Sequence, residues 1–324
     1  MLARPFPRSR RSLASCSFKP VPAIKMLTAP ILYNIFAFMI AATSAFALSP
    51  LCFPLARRLG AIDIPTDGRR MHKVPVPRAG GLGVFLAFVA SAVIFFADNP
   101  ILVPILSGGL VLVAAGLADD AYRISPYQKL AFQTGASAVA FLFGARAPME
   151  SPVASAAFSI LWPVLLTNAF NLIDGLDGLC SRVAVFAALG LMLLGASPIA
   201  ASLAGALVGF LPFNLRPAKM FLGDTGALFA GFTLGVLSLQ LMGKNEGRGM
   251  NLSILLIFAL PIADTVFSVF RRLARGKSPF SPDREHFHHK LVDKGFSHGE
   301  ASLLLSLLSL SLCAVGVMIN EIFN

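Results

Sequence analysis

Residues 183–215, VAVFAALGLMLLGASPIAASLAGALVGFLPFNL, run from Arg182 to Arg216 without one charged side chain. Such a run is either one very long helix or two short ones, and the choice sets the parity of every other segment. A helix rises ~1.5 Å per residue, so two helices of eighteen residues reach about 27 Å each, close to the thickness of a bilayer core. Gly195-Ala196-Ser197-Pro198 places a Gly…Pro turn near the middle, which decides for two.

The rest of the chain has the same character. Of 324 residues, 56% are hydrophobic and 13% charged, with a mean hydropathy of +0.75. This lies outside the range of soluble globular proteins. Uncharged runs long enough to span a membrane recur. The expected spans are about 31–54, 80–97, 101–118, 127–145, 153–170, 178–195, 198–215, 225–243, 251–270 and 301–320. The fold class is therefore an all-α integral membrane protein, a polytopic bundle of about ten transmembrane helices forming one domain over residues 26–324. Residues 1–25 carry six basic side chains and no acid. They read as a targeting segment, or as a disordered extension ahead of a start at Met26. Cys16, Cys52, Cys180 and Cys313 are scattered, with no C-x-x-C, so they suggest neither a disulfide framework nor a zinc site.

With ten spans, the segments 55–79, 119–126, 171–177, 216–224 and 271–300 fall on one side of the membrane. With the flanking Lys129 and Arg182 they hold eighteen Lys and Arg, against three on the other side (Arg146, Lys244, Arg248). Cationic residues collect on the cytoplasmic side, so the expected location is the inner membrane, multi-pass, with these segments in the cytoplasm. The formal charge of +11 reads as topology and not as nucleic-acid binding.

Every unusual polar motif lies on that side. NAFNLIDGLDGL, residues 168–179, repeats Asn168, Asn171, Asp174 and Asp177 at every third position, so one helical turn would gather them loosely on a face. Gly175 and Gly178 predict a break there, which would let the backbone approach a ligand. Asp119 and Asp120 end the third span. Ser125-Pro126 is an N-cap with proline at the first helical position, which brings Lys129 back toward the two acids. Gly223-Asp224-Thr225-Gly226 opens the eighth span, with Asp224 either an N-cap or a metal ligand. The first loop carries Arg69, Arg70, His72, Lys73 and Arg78. The last carries Arg271, Arg272, His286, His288, His289 and His298 in a basic setting suited to phosphates or to lipid headgroups. Five aspartates beside so many cations suggest Mg²⁺ shared with a diphosphate.

In order along the chain, these motifs resemble the polyprenyl-phosphate N-acetylhexosaminyl-1-phosphate transferases. R-K-x-H…P-x-P-R-x-G-G corresponds to 69–81, the Asp-Asp…Lys motif to Asp119, Asp120 and Lys129, and N-x-x-N-x-x-D-G-x-D-G to 168–178. F-x-G-D-x-G corresponds to 221–226, and P-D-x-x-H-x-H-H to 282–289. The resemblance implies transfer of a sugar 1-phosphate from a UDP-sugar to undecaprenyl or another polyprenyl phosphate, with release of UMP. It further implies Mg²⁺ (Mn²⁺ as the alternative), a bilayer-embedded chain, and admits a homodimer.

By residue, the resemblance implies a catalytic set of Asp119, Asp120, Asp177 and His289, with the first two facing the lipid phosphate. Lys129, Asn168, Asn171, Asp174, Gly175, Phe221, Arg271, Arg272, His286 and His288 would bind substrate, Phe221 lying against the uracil. Asp224, with Asn171, would hold the metal. P-x-P-R-x-G-G and PDREHFHH point to the branch that starts O-antigen and other surface glycans, with UDP-GlcNAc as donor. UDP-FucNAc, UDP-QuiNAc and UDP-MurNAc-pentapeptide are alternatives. An ion-coupled transporter is the competing class. It expects charges near the bilayer midplane and an internal repeat, whereas the mid-spans carry almost no ionisable residue and show no convincing repeat.

Overall fold

The computed structural model describes residues 24–65, 74–242, 248–278 and 286–323. The N-terminal tail, the motif residues Arg69, Arg70, His72 and Lys73, and positions 282–285 of the last motif lie outside them. The described chain is built from helices and one two-stranded ribbon. The helices are α1 (Ile24–Leu59), α2 (Gly80–Phe96), α3 (Leu102–Tyr122), α4 (Pro126–Leu142), α5 (Pro152–Ile173) and α6 (Leu179–Leu193). They continue as α7 (Ile199–Asn214), α8 (Gly223–Leu239), α9 (Arg248–Ile257), α10 (Ala259–Ala274), α11 (Phe287–Asp293) and α12 (His298–Phe323). The ribbon pairs β1 (Ile62–Asp63) with β2 (Val76–Pro77) in antiparallel register.

The long uncharged run is two helices. α6 stops at Leu193, Gly195 turns the chain at φ 85°, and α7 starts after Pro198. Four helices are long and apolar enough to cross a membrane by themselves: 31–59 within α1, then α3, α5 and α12. α2, α6, α7 and α8 are shorter apolar helices of 15–17 residues. The expected ninth span, 251–270, is not one helix. α9 and α10 meet at a bend of 72°. Pro261 is the reason, because it offers no N–H to the Ile257 carbonyl and its ring crowds that group. The freed carbonyl faces the thiol of Cys313 on α12 at 3.7 Å, a neighbouring helix satisfying what the proline left open.

The bundle is organised around α8, in which every residue is buried. Its short apolar sequence is enclosed by protein on all sides, so its length need not match a bilayer. Small residues allow the close approaches. A Cβ at Gly231 would lie 2.7 Å from the Leu166 carbonyl of α5, and one at Gly235 would lie 2.8 Å from Pro163. Gly116 of α3 and Gly81 of α2 rest directly on the α8 backbone at Thr225 and Gly226. Gly205 and Gly209 of α7 meet the α1 backbone in the same way, at Phe38 and Ala42. Without a hydrophobic drive in lipid, this backbone proximity and its dispersion energy are what hold helices together.

α10 is built differently. It turns Asp264, Thr265, Ser268 and Arg272 inward and leaves Val266, Phe267, Phe270 and Leu273 exposed. A helix with a polar inner face and an apolar outer face belongs where lipid lies outside and polar groups lie within.

Candidate active site

The site begins where α3 ends. Arg123 adopts a left-handed conformation, φ 56°, and its N–H donates to the Asp119 carbonyl at 2.9 Å, which stops the helix. The Asp119 carboxylate holds the turn by accepting the Ile124 N–H at 2.8 Å. Ser125 then caps α4, as Ser-Pro at these positions predicts, and Gln128 completes a reciprocal capping box with it. One turn on, Lys129 reaches back. Its Nζ lies 2.9 Å from Asp119 Oδ2 and also contacts Asp224 Oδ2.

Asp120 serves another purpose. Its side chain is fully buried, and its Oδ1 accepts the Asp224 N–H at 3.0 Å. Its Oδ2 accepts the Thr225 N–H at 3.1 Å and the Thr225 hydroxyl at 2.8 Å. The two N–H groups belong to the first turn of α8, whose donors have no intrahelical partner. Asp120 thus caps α8 from a neighbouring helix. One of the two readings of Asp224 is thereby settled. The Asp120 carboxylate is engaged with a helix end, and Asp224, in the first turn of α8, is not its cap. The Asp224 carboxylate is left pointing at two cations, Lys129 and the Arg78 guanidinium at 3.6 Å. Gly223, φ 72°, opens this turn, and a side chain there would run into the Arg78 carbonyl and the Asp120 carboxylate.

Arg78 is the important residue missing from the expected site, although it stood in a quoted motif. Its Nε also lies 3.5 Å from Asp120 Oδ1. It is delivered by a short backbone pairing: the Phe221 N–H donates to the Pro77 carbonyl at 2.9 Å and the Gly81 N–H to the Leu222 carbonyl at 2.8 Å. The first loop is therefore pinned to the Gly-Asp-Thr-Gly turn. A positive loop residue read only for topology carries no hint of such a partner.

Two cavities flank this cluster. A groove of about 840 Å³ is lined by Leu130, Phe158, Leu161, Trp162 and Leu165, with Lys129, Asn168, Asn171, Arg272 and His286 among its polar groups. A cleft of about 570 Å³ is lined by Arg78, Asp174, Gly175, Asp177, Phe221, Arg216, His288, His289 and His298. Lys129 lines the groove, Arg78 lines the cleft, and both reach Asp224, so the three acids stand between a mainly apolar chamber and one richer in charged and imidazole side chains.

The Asn168–Asp177 motif does not share one face. α5 continues through Asn168 and Asn171 and stops at Ile173, so the asparagines face the groove, while Asp174 and Asp177 lie in the following turn and face the cleft. The break at Gly175 and Gly178 is as expected. The open side of Gly175, however, is filled by the His288 ring instead of standing clear for a ligand. Asp177, expected to be catalytic, accepts the Ala218 N–H at 3.2 Å, and its carbonyl accepts the Ser302 hydroxyl of α12 at 2.9 Å. His289 shares the cleft with His288, their ring centroids 4.2 Å apart. Arg271 donates to the Ser268 hydroxyl at 3.2 Å.

Burial shapes two titrations at the cleft. Asp174 is pushed up to about 8, first by burial and then by the Asp224 charge. His288 is pushed down to about 3 by burial and by His289 beside it, so its imidazole is neutral. Asp264, which no motif spacing singles out, is a further acid near the site. Its Oδ2 lies 2.8 Å from His286 Nδ1, and its Oδ1 accepts the Phe287 N–H at 2.8 Å. The available signal was a carboxylate within an apolar run, which in a membrane chain usually has a task.

Among the described residues no three His, Cys, Asp or Glu side chains form a metal cage. The donor set nevertheless suits a hard cation. Among the described residues, the ion pairs of Asp119, Asp120 and Asp224 are with Lys129 and Arg78, three acids to two cations. Mg²⁺ is commonly held by one or two carboxylates together with substrate phosphates and water.

The family model for glycosyl transferase family 4 matches residues 102–242. The "Probable undecaprenyl-phosphate N-acetylglucosaminyl 1-phosphate transferase" of Bacillus subtilis is 32% identical over 303 residues, covering 87% of this chain and 84% of that protein. The "Undecaprenyl-phosphate alpha-N-acetylglucosaminyl 1-phosphate transferase" of Thermotoga maritima is 35% identical, covering 83% and 84%. The "Decaprenyl-phosphate N-acetylglucosaminephosphotransferase" of Mycobacterium tuberculosis is 32% identical, covering 86% and 80%.

Proposed function

We propose that this chain, which belongs to glycosyl transferase family 4 and to its polyprenyl-phosphate N-acetylglucosamine 1-phosphate transferases, moves GlcNAc 1-phosphate from UDP-GlcNAc to a polyprenyl phosphate and releases UMP. The observation that carries this reading is the acid–base cluster of Asp119, Asp224, Lys129 and Arg78 between an apolar groove and a cleft lined by aspartates, arginines and histidines. A long-chain lipid phosphate suits the first and a nucleotide sugar the second.

In this reading the acceptor phosphate enters at Lys129, and Asp119 orients that lysine. The diphosphate of the donor lies toward Arg78, with the nucleotide along Asp174, Asp177 and Phe221. An acceptor phosphate oxygen forms a bond to the sugar-bearing phosphorus as its bond to the UMP oxygen breaks, and UMP leaves with the electron pair. Such a displacement depends on alignment and charge neutralisation. Mg²⁺ held at Asp224 would neutralise charge developing on the departing UMP. Asp120 keeps Asp224 in place by fixing the start of α8. We read the chain as ten crossings, with bent α9–α10 counted as one, and the site as facing the cytoplasm of the inner membrane. The cation asymmetry supports that orientation.

The test is purified protein with UDP-GlcNAc labelled in the β-phosphate, Mg²⁺ and undecaprenyl phosphate. Label should pass into the organic phase. Folded protein that labels no lipid with UDP-GlcNAc or any other UDP-N-acetylhexosamine would refute the reading. A donor screen in the same assay tests the sugar. A chiral-phosphate experiment should show inversion; retention would require a covalent intermediate.

A further inference from the structure

The three histidines of the last motif do not share one chamber. His288 and His289 line the cleft, while His286 lines the groove with Lys129, Asn168, Asn171 and Arg272. The His286 ring stacks on His288 at 5.7 Å and stands at the boundary between the two.

His286 is also held differently from its neighbours. It is buried, and its Nδ1 faces Asp264 Oδ2 at 2.8 Å and the Ser268 hydroxyl at 3.2 Å. An ionised carboxylate only accepts, so Nδ1 carries the hydrogen, and Nε2 is left as the basic atom of the neutral ring. Among the described residues Nε2 has no hydrogen-bond partner. Asp264 is itself fixed by the Phe287 N–H, so both ends of the pair are immobilised. The charged groups sharing the groove, Lys129 from α4 and Arg272 from α10, are cationic and suited to an arriving phosphate.

We infer that Asp264 is a positioning residue that holds His286 Nε2 toward the acceptor phosphate, so that His286 serves the lipid side of the reaction while His288 and His289 serve the nucleotide side. The inference rests on the transferase reading above. A phosphate monoester has a second pKa of about 6, so a fraction arrives carrying a proton. His286 Nε2 takes that proton. The phosphate O–H bond breaks, the N–H bond forms, and the electron pair stays on the oxygen that then attacks. The resulting imidazolium is stabilised by the Asp264 carboxylate across the ring.

The test measures steady-state kinetics of the full chain in detergent, varying donor and acceptor separately, for wild type, Asp264→Asn, His286→Gln and the double variant. Asp264→Asn turns an acceptor toward Nδ1 into a donor and so reverses the tautomer. It should lower acceptor kcat/KM by about 10- to 100-fold, the scale found when a metal-bound histidine loses its orienting partner. The donor KM should stay within about twofold, and in the His286→Gln background the same substitution should cost less than about twofold, because coupled residues are not additive. An equal cost in both backgrounds would make Asp264 merely structural and overturn the inference. So would a raised donor KM, or kinetics like wild type. If Asp264→Asn does not fold, His286→Gln alone decides, since a defect in donor KM instead of acceptor kcat/KM refutes the assignment. Wild-type protein inactive with every donor overturns the transferase reading and this inference with it. An active wild type with the wrong pattern overturns this inference alone.

Discussion

Asp119 and Asp120 are adjacent in sequence, yet the structure gives them opposite roles, and substituting each with asparagine separates them. Asp120 accepts three hydrogen bonds from α8 through a fully buried carboxylate. Asparagine keeps one oxygen and turns an NH₂ group toward the donors it replaces. About two charge-assisted hydrogen bonds are lost, each worth about 1.5–3 kcal/mol. Relief of repulsion with Asp224 returns part of this, leaving a net loss of about 2–4 kcal/mol. At about 2–4 °C per kcal/mol for a chain of this size, the thermal midpoint in detergent should fall by about 5–15 °C. Asp119→Asn keeps an oxygen for the Ile124 N–H and removes a like charge beside Asp224, so its midpoint should move by less than about 2 °C. Activity should fall by at least about 100-fold in both, since Asp119 orients Lys129 and Asp120 fixes Asp224. The assay is differential scanning fluorimetry beside radiolabel transfer on the same preparations. Equal midpoints for the two variants, or an Asp120→Asn protein as stable as wild type, would refute the capping role.

Other outcomes follow from the same geometry. Gly81→Val places a side chain on the α8 backbone at Gly226, where neither side can yield, and should cost about 3 kcal/mol or more, read as loss of monodisperse folded protein. Gly175→Ala displaces the His288 ring and should raise the donor KM by about tenfold with the acceptor KM unchanged; equal effects on both would refute the division into groove and cleft. Asp174 titrates at about 8 in the fold, above its value in an unfolded chain. The stability it contributes is therefore complete below the unfolded pKa of about 4 and is lost as pH rises through 8. Asp174→Asn should flatten that decline in midpoint between pH 6 and 9, and an unchanged slope would contradict it. Chelation with EDTA should abolish transfer, with Mg²⁺ or Mn²⁺ restoring it; metal-independent turnover would remove the ion from Asp224.

The helices were largely legible in the sequence because bilayer-length apolar runs and a Gly…Pro turn are local signals. The N-cap at Ser125 was legible for the same reason. The bend between α9 and α10 was not, although Pro261 stood in the run, because a proline within an apolar segment can kink a helix or break it, depending on which neighbour satisfies the freed carbonyl. The motifs supply many of the polar residues that line the groove and the cleft but not how they are divided. A spacing of three between Asn168, Asn171, Asp174 and Asp177 suggests a shared face only while the helix continues, and it ends at Ile173. Likewise, Asp120 looks like a partner of Asp119 until α8 is packed beside it. Arg78 and Asp264 find their partners through tertiary contacts with residues 42 to 146 and 22 to 23 positions away, respectively, which no local pattern reports.

The central claim is that a sugar 1-phosphate moves, not a sugar alone. The most direct measurement is mass spectrometry of both products after incubating the protein with UDP-GlcNAc, undecaprenyl phosphate and Mg²⁺. The account predicts undecaprenyl diphosphate bearing one GlcNAc, formed in equal amount with UMP. Release of UDP with a lipid monophosphate product, or UMP without any lipid-linked sugar, would contradict it.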